Sequence, residues 1–243
     1  MKTLVVGASG ATGKWLVQHL LERGGHVTAV LREGSDLPEA VQNHPSLSVV
    51  RASLLDLSDM ELAKLVEGCD AIASCLGHNL SFKGLFLPPR NLVRDSVKRL
   101  CQASQLHQSG APVKFVLMNT TAVRNHDLTE AITGRYKTAT FLLRYLLPPH
   151  ADNEKAAAYL KETIGQNHAN IQWVSVRPDG LIDEQKTSVY DVYPALQRDP
   201  MVDAGQTSRI NVAHFMAELI LDDNLWEKWK GQMPVIYNRE HDH

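Results

Sequence analysis

The chain has 243 residues, of which 44% are hydrophobic, and its formal net charge at pH 7 is −2. Such a length and composition predict a soluble protein with a single domain spanning residues 1–243. The near-neutral charge excludes an electrostatic footprint for nucleic acid or an anionic membrane, and no apolar run is long enough to span a bilayer.

Apolar runs alternate with helical patterns along the chain. Strands are predicted at residues 3–6, 26–31, 47–51, 70–75, 113–118 and 171–176. Helices are predicted at 12–23, 59–67, 90–108 and 151–165, the third opened by Pro88 and Pro89. This alternation predicts an α/β fold, a doubly wound parallel Rossmann sheet with helices on both faces. Ligands of such a sheet bind beyond the carboxyl ends of its strands.

The segment between the first strand and the first helix is a glycine loop, residues 7–13, with the sequence GASGATG. Gly7 permits a tight turn, Gly10 lets phosphates approach the backbone, and Gly13 allows close packing of helix on strand. The helix that follows presents unpaired N–H groups and a positive end to a pyrophosphate. A P-loop is excluded because Ala8 stands where its first glycine would be. The loop predicts a dinucleotide site.

Arg32 follows the second predicted strand, and Glu33 comes next. An arginine at this point suits the 2′-phosphate of NADP, whereas sites that prefer NAD place an acid near it. The alternative is a solvated pair of Arg32 and Glu33 in a loop. The sequence favours NADP(H) over NAD(H) as cofactor.

The ends of the third and fourth strands are expected to line the remainder of the adenosine and pyrophosphate path. We expect Ser53, Leu54, Leu55 and Asp56 to flank the adenine. Cys75, Leu76 and Gly77 are expected along the ribose and pyrophosphate. The Cys75 side chain is expected as a small buried group rather than a reactive thiol.

Polar residues also follow the fourth, fifth and sixth strands. His78 is interpreted either as a solvated loop histidine or as a ligand contact. Asn119 is expected beside the cofactor, and Thr120 is placed where a substrate carbonyl would meet a nicotinamide. Pro178 lies in a turn, residues 177–181, expected to close over the nicotinamide end.

Four segments together resemble a known family: GASGATGK at the front, NTT after strand five, RPDGLI after strand six, and SRINVAHF at 208–215. They resemble the short-chain dehydrogenase/reductase superfamily in its atypical NAD(P)H-binding branch. That branch includes the flavin and biliverdin reductase B type and the NmrA-like redox sensors. The resemblance implies an extended NAD(P) in contact with Gly7, Ser9, Gly10, Ala11, Thr12, Gly13 and Arg32.

One departure from that superfamily concerns its Tyr-x-x-x-Lys dyad, in which the Tyr donates a proton and the Lys lowers its pKa. No tyrosine in this chain has a lysine four residues later. Counting back from the AAAY run, the lysine position falls near Asn153 and the tyrosine position near Pro149, beside His150. The candidate catalytic residues are therefore Thr120, His150 and Asn153. The biliverdin reductase B type also lacks the dyad.

An insertion of roughly thirty residues, 122–149, separates strand five from its helix, and its end, 139–149, is strongly apolar. It is interpreted as a lid or wall for an apolar substrate, or alternatively as a helix that completes the core. A second region, 183–209, carries Tyr190, Tyr193 and Pro194. Segments 122–150 and 178–243 are expected to form a small substrate-closing region.

Location is predicted from the cysteines and the start of the chain. Cys69, Cys75 and Cys101 are odd in number and lack metal spacing, which favours a reducing compartment and no metal site. The first strand begins at residue 2 or 3, so no N-terminal targeting segment is expected. We predict a cytoplasmic monomer or homodimer whose partner is a small-molecule substrate.

Three functions are compatible with these observations. The first is an NADPH-dependent reductase that transfers hydride to a flavin, tetrapyrrole, quinone or carbonyl compound. The second is a non-catalytic NADP-binding redox sensor, which the missing dyad favours. The third is an NAD-dependent epimerase or isomerase, against which Arg32 and the missing tyrosine argue.

Overall fold

The structure is a computed structural model that describes residues 1–78, 90–106, 110–130, 132–136, 138 and 148–239. Its strands are β1 (Lys2–Val6), β2 (His26–Leu31), β3 (Leu47–Arg51), β4 (Ala71–Ser74), β5 (Val113–Met118), β6 (Ile171–Pro178), β7 (Leu181–Ile182), β8 (Tyr190–Tyr193), β9 (Thr207–Ser208) and β10 (Val235–Asn238). Its helices are α1 (Gly13–Glu22), α2 (Glu39–Gln42), α3 (Asp59–Val66), α4 (Leu92–Gln105), α5 (Pro148–Ala158), α6 (Arg209–Leu221) and α7 (Asp223–Trp229).

Eight of these strands form one mostly parallel sheet in the order β3-β2-β1-β4-β5-β6-β10-β8. Only β8 runs antiparallel within it, paired with β10, while β7 and β9 form a separate parallel pair. The order reverses between β1 and β4, which is the switch point where ligands of doubly wound sheets bind. The predicted α/β Rossmann fold is confirmed, with an antiparallel edge strand that the sequence analysis did not anticipate.

The core lies on both faces of the sheet because the parallel strands are buried on both sides. In β1 the side chains alternate: Val5 packs with α1 and α6, whereas Leu4 and Val6 pack with α3, α4 and α5. All three are at most 1% exposed. A continuous apolar run is therefore required in β1, and this explains why that strand could be recognised from sequence.

Each predicted strand and helix is observed, and three strands have both of their predicted bounds, whereas the other elements differ by a few residues at one or both ends. The strands at 26–31, 47–51 and 113–118 are observed as predicted, whereas β4 is shorter and β6 extends to Pro178. The helix predicted at 151–165 begins earlier, at Pro148, and continues into a π-helical segment, Tyr159–Ile164. The helix-start signal at Pro88 and Pro89 lies outside the described residues. No helix in the described part of the chain is long and apolar enough to cross a membrane.

A chain of polar contacts joins α1, α6 and β8. The Nη2 of Arg23 lies 2.7 Å from Nε2 of His214, and the Tyr190 hydroxyl lies 2.7 Å from Nδ1 of the same ring. Since a guanidinium can only donate, Nε2 of His214 is the acceptor and Nδ1 carries the proton. The ring of His19 meets that of His214 edge to face, with centroids 5.4 Å apart. His214 is therefore arranged as a neutral imidazole.

Burial and neighbouring positive charges both lower the pKa of these two histidine rings. Burial lowers the pKa of His19 most, followed by the proximity of His214 and Arg23. Burial, then Arg23, lowers the pKa of His214 from its ordinary value of 6.5, against the opposing effect of Glu218. Since the unfolded chain binds these protons more readily, the stability from the neutral rings is complete above about pH 6.5 and is lost as the pH falls below it.

We expect the free energy of unfolding to decrease as the pH is lowered from 7 to 5, by up to about 1.4 kcal/mol per pH unit for each ring. The substitution His214→Gln, whose amide can accept from Arg23 and donate to Tyr190, should reduce this slope. Urea unfolding at several pH values measures it. The control His26→Gln, at an exposed position, should keep the parent slope, and an unchanged slope in His214→Gln would contradict the assignment.

Candidate functional site

A cavity of about 560 Å³ opens at the carboxyl ends of β1, β2, β3 and β4. It lies beside the point where the strand order reverses, so the fold places it where doubly wound sheets bind their ligands. Its lining is Val6, Gly7, Ser9, Gly10, Val30, Arg32, Ser35, Asp36, Ala52, Ser53, Leu54, Cys75, Leu76, Gly77 and Leu92.

The glycine loop at one end of this cavity has no room for side chains at two positions. Gly7 has a φ of +73°, and a Cβ there would lie 2.6 Å from the carbonyl carbon and oxygen of Cys75. A Cβ on Gly13 would lie 2.1 Å from the Gly7 carbonyl oxygen. At Gly10, which is exposed, a Cβ would lie 3.1 Å from that oxygen. The first two glycines are required by the fold, and the third keeps the mouth of the loop open.

The same loop presents N–H donors to the cavity. The N–H of Gly10 donates to the carbonyl of Gly7, which closes the turn, and Thr12 precedes the first residue of α1. Within the described residues, the N–H groups of Ser9, Ala11 and Thr12 donate to no main-chain carbonyl. Such donors at a helix N-terminus fit the pyrophosphate of a dinucleotide. Gly7, Ser9 and Gly10 line the cavity, whereas Ala11, Thr12 and Gly13 are outside its lining and lead into α1, which begins at Gly13.

The other end of the cavity is formed by residues that follow β2 and β3. Arg32 is exposed on the rim. Ser53 and Leu54 line the wall, whereas Leu55 and Asp56 follow outside that lining. The guanidinium of Arg99 donates to the carbonyls of residues 54, 55 and 57 and holds the turn that contains them.

The floor of the cavity is the segment after β4. Cys75, Leu76 and Gly77 line it as expected. Burial raises the pKa of the Cys75 thiol to about 12, so the group remains a neutral thiol at physiological pH. Its carbonyl lies against Gly7, and its role is therefore in packing the loop.

Asn119 and Thr120 follow β5, but they face different surroundings. The amide of Asn119 is buried and donates to the Asn153 carbonyl, 3.3 Å away, and to the Ser175 hydroxyl, 3.4 Å away. It therefore ties β5 to α5 and β6. Thr120 is partly exposed, and its hydroxyl accepts from the N–H of Ala122. Pro178 is buried at the end of β6, where its carbonyl accepts from the N–H of Thr121.

His150 and Asn153 both lie in the first two turns of α5. The His150 side chain is 6% exposed, and its Nε2 lies 3.5 Å from Oε1 of Glu154. Asn153 is half-buried, and its carbonyl receives the Asn119 amide. The structure therefore brings Asn119, Asn153 and the end of β5 together, and it places His150 in the interior beside Glu154.

A buried pair that the sequence analysis did not identify lies next to the cavity floor. Nε2 of His78 lies 2.7 Å from Oδ2 of Asp152, whose side chain is fully buried. The same carboxylate accepts from the main-chain N–H groups of Val93 and Arg94, at the start of α4. His78 is thus buried and paired with Asp152, rather than a solvated loop residue. Spacing along the chain carries no signal for this contact, since its partners are 74 residues apart.

Buried polar contacts anchor the two segments expected to close the site. Nη1 of Arg177, at the end of β6, lies 2.6 Å from Oε1 of Glu130, and both side chains are at most 1% exposed. Arg177 also donates to the carbonyl of Pro194. The Tyr136 hydroxyl donates to the carbonyl of Thr121. The apolar stretch at 139–147 lies outside the described residues, so its interpretation as a lid stays a prediction.

Comparison with known proteins shows a family match and a related sequence. The sequence pattern of the NAD(P)H-binding family matches residues 7–223. An uncharacterized chloroplastic protein of Arabidopsis thaliana is 27% identical over 222 residues, which are 91% of this chain and 72% of that protein.

Two solved structures show the same fold. A putative NADH-flavin reductase of Streptococcus pneumoniae has a TM-score of 0.64 at 18% identity, over 98% of this chain and 100% of that chain. A short-chain dehydrogenase/reductase of Veillonella parvula in complex with NADP has a TM-score of 0.68 at 15% identity, over 100% of this chain and 96% of that chain. The predicted resemblance to an atypical short-chain dehydrogenase/reductase is confirmed at the level of fold.

The contacts of Asp152 predict a large effect on stability. Asp152→Ala leaves the N–H groups of Val93 and Arg94 and the ring of His78 without their acceptor, and we expect a loss of about 2–4 kcal/mol in unfolding free energy. The control Asp95→Ala, in the first turn of α4, removes an exposed ion pair with Arg94 and should cost less than about 1 kcal/mol. Denaturant unfolding measures both, and equal losses would contradict the assignment.

Proposed function

The chain belongs to the NAD(P)H-binding family, and from this premise we propose that it is an NADPH-dependent reductase that transfers hydride to a small, largely apolar acceptor. The acceptor class includes flavins, tetrapyrroles, quinones and carbonyl compounds. The observation that carries the proposal is the cavity whose pyrophosphate end is the glycine loop and whose adenosine end carries Arg32. That combination suits a dinucleotide with a phosphorylated ribose.

In this proposal the residues of the chain bind and orient the reactants rather than transfer protons through the usual dyad. NADPH supplies the hydride when it is bound. The glycine loop holds the pyrophosphate and Arg32 pairs with the 2′-phosphate. Thr120, partly exposed at the end of β5, donates a hydrogen bond to the acceptor.

The source of the proton is the second part of the proposal. His150 and Asn153 lie on the helix where the dyad would stand. His150 is kept as the candidate donor because histidine titrates near neutral pH. Its burial beside Glu154 makes water the alternative donor for an acceptor such as a flavin.

A non-catalytic NADP-binding redox sensor is the second candidate function. The buried positions of His150 and of the pair of His78 and Asp152 favour it, since these groups are arranged for packing. An NAD-dependent epimerase is the weaker alternative, because Arg32 and the missing tyrosine argue against it. The small-molecule substrate, the cytoplasmic location and the monomeric or dimeric state remain predictions.

Arg32→Ala should weaken NADPH binding and leave NADH binding nearly unchanged, because only NADPH carries the 2′-phosphate. A charge-assisted pair contributes about 1.5–3 kcal/mol, equivalent to roughly a tenfold to hundredfold change in Kd. Fluorescence titration with both cofactors measures it. The control Gly10→Val, which fills the mouth of the loop, should lose both cofactors. Equal losses for the two cofactors in Arg32→Ala would show that Arg32 does not read the 2′-phosphate.

Thr120→Val should lower kcat about fivefold to tenfold, with the Kd of NADPH unchanged, because the hydroxyl is assigned to the acceptor. Thr120→Ser, which keeps the hydroxyl, is the matched control and should retain turnover. NADPH oxidation with flavin, biliverdin, quinone and aldehyde acceptors measures both.

His150→Ala should flatten the pH dependence of the rate near neutrality. No oxidation of NADPH with any acceptor, alongside tight NADPH binding, would favour the sensor.

A further inference from the structure

A second arginine, Arg51, is the last residue of β3 and directly precedes Ala52 and Ser53, which line the cavity. It pairs in register with Leu31, the last residue of β2, so its side chain starts one residue short of Arg32 on the neighbouring strand. Nη1 of Arg51 donates to the carbonyl of Ser35, 2.8 Å away, and Nη2 lies 2.5 Å from Oδ1 of Asp36. Arg51 is thus engaged by the loop that carries Arg32.

That loop places a carboxylate, Asp36, and a guanidinium, Arg32, in the lining of the same cavity. The N–H of Ser35 donates to the carbonyl of Arg32, and Gly34 has a φ of +73°, which together fold residues 32–35 into a tight turn. Arg32, Ser35 and Asp36 all line the cavity. The Asp36 side chain is 65% exposed, so its carboxylate is accessible to a ligand that enters the cavity.

The two charges at this rim have opposite effects on the two cofactors. A carboxylate near the adenosine ribose accepts hydrogen bonds from the 2′-hydroxyl of NAD and repels the 2′-phosphate of NADP. Asp36 carries the group that an NAD site needs, but its Oδ1 is paired with Arg51. This ion pair neutralises the carboxylate and orients it toward β3.

We propose that Arg51 is a specificity-determining residue that favours NADP by pairing with Asp36, and that an NAD-preferring site is latent in the same loop. The inference rests on the proposed NADP site and adds a second residue that contributes to its preference for NADP. Arg32 attracts the 2′-phosphate, and Arg51 removes the repulsion that Asp36 would exert. Arg51 acts through Asp36, so it is a positioning residue rather than a direct contact of the cofactor.

The first test is Arg51→Gln, which releases Asp36. An exposed carboxylate beside the 2′-phosphate repels it enough to weaken NADPH binding roughly threefold to tenfold. NADH binding should be unchanged or tighter, so the ratio of the two Kd values shifts toward NADH. The control Arg239→Gln removes an exposed ion pair of the same 2.5 Å length, with Asp191, on the opposite edge of the sheet. It should leave both Kd values at the parent level.

The second test is the double variant Arg51→Gln with Asp36→Asn, measured by the same titrations. If Arg51 acts by neutralising Asp36, removal of the carboxylate restores NADPH affinity to within about twofold of the parent. If the double variant stays as weak as Arg51→Gln, then Arg51 contacts the phosphate directly or supports the loop, and the inference is overturned. Parent affinity for NADPH in Arg51→Gln alone overturns it as well.

Failure of the proposed function gives a different result. A parent protein that binds neither cofactor, or that binds NADH more tightly than NADPH, contradicts the NADP site before any variant is made. A parent that prefers NADPH, together with unchanged selectivity in Arg51→Gln, refutes only the role of Arg51.

Discussion

The close contact between the glycine loop and the end of β4 is the constraint on which the binding cavity depends. Gly7 packs directly on the main chain of Cys75, and Gly13 packs directly on the carbonyl of Gly7. These contacts bring the start of α1 against the sheet at its switch point. A side chain at either position would separate helix and strand and remove the N–H donors from the cavity.

The polar groups around the carboxyl edge are mostly used to hold elements together. Asp152 joins α4, α5 and the segment after β4, Asn119 joins β5 to α5 and β6, and Arg177 joins β6 to Glu130. Each of these groups is buried and satisfied by several partners, which is the condition under which buried polar groups stabilise a fold. The same packing leaves the side chains of His78 and His150 only 5% and 6% exposed.

The charged groups at the ends of β2 and β3 differ from this interior because they are exposed to solvent. Arg32, Asp36 and Arg51 lie at the ends of neighbouring strands, where solvent screens their charges. In the proposed site, selectivity between NADP and NAD would therefore depend on small differences in free energy between exposed groups. The glycine loop depends instead on the main-chain contacts of Gly7 and Gly13, which leave no room for a side chain.

The sequence by itself determined the Rossmann sheet and the glycine loop, because strands buried on both faces require continuous apolar runs and tight turns require glycine. The family resemblance and Arg32 at the rim were also accessible from local sequence. Only the tertiary structure decided which polar residues pair. The contacts between His78 and Asp152 and between Arg177 and Glu130 join residues 74 and 47 positions apart. Such pairs have no periodicity or spacing, since they form only when separate strand ends meet at one edge of the sheet.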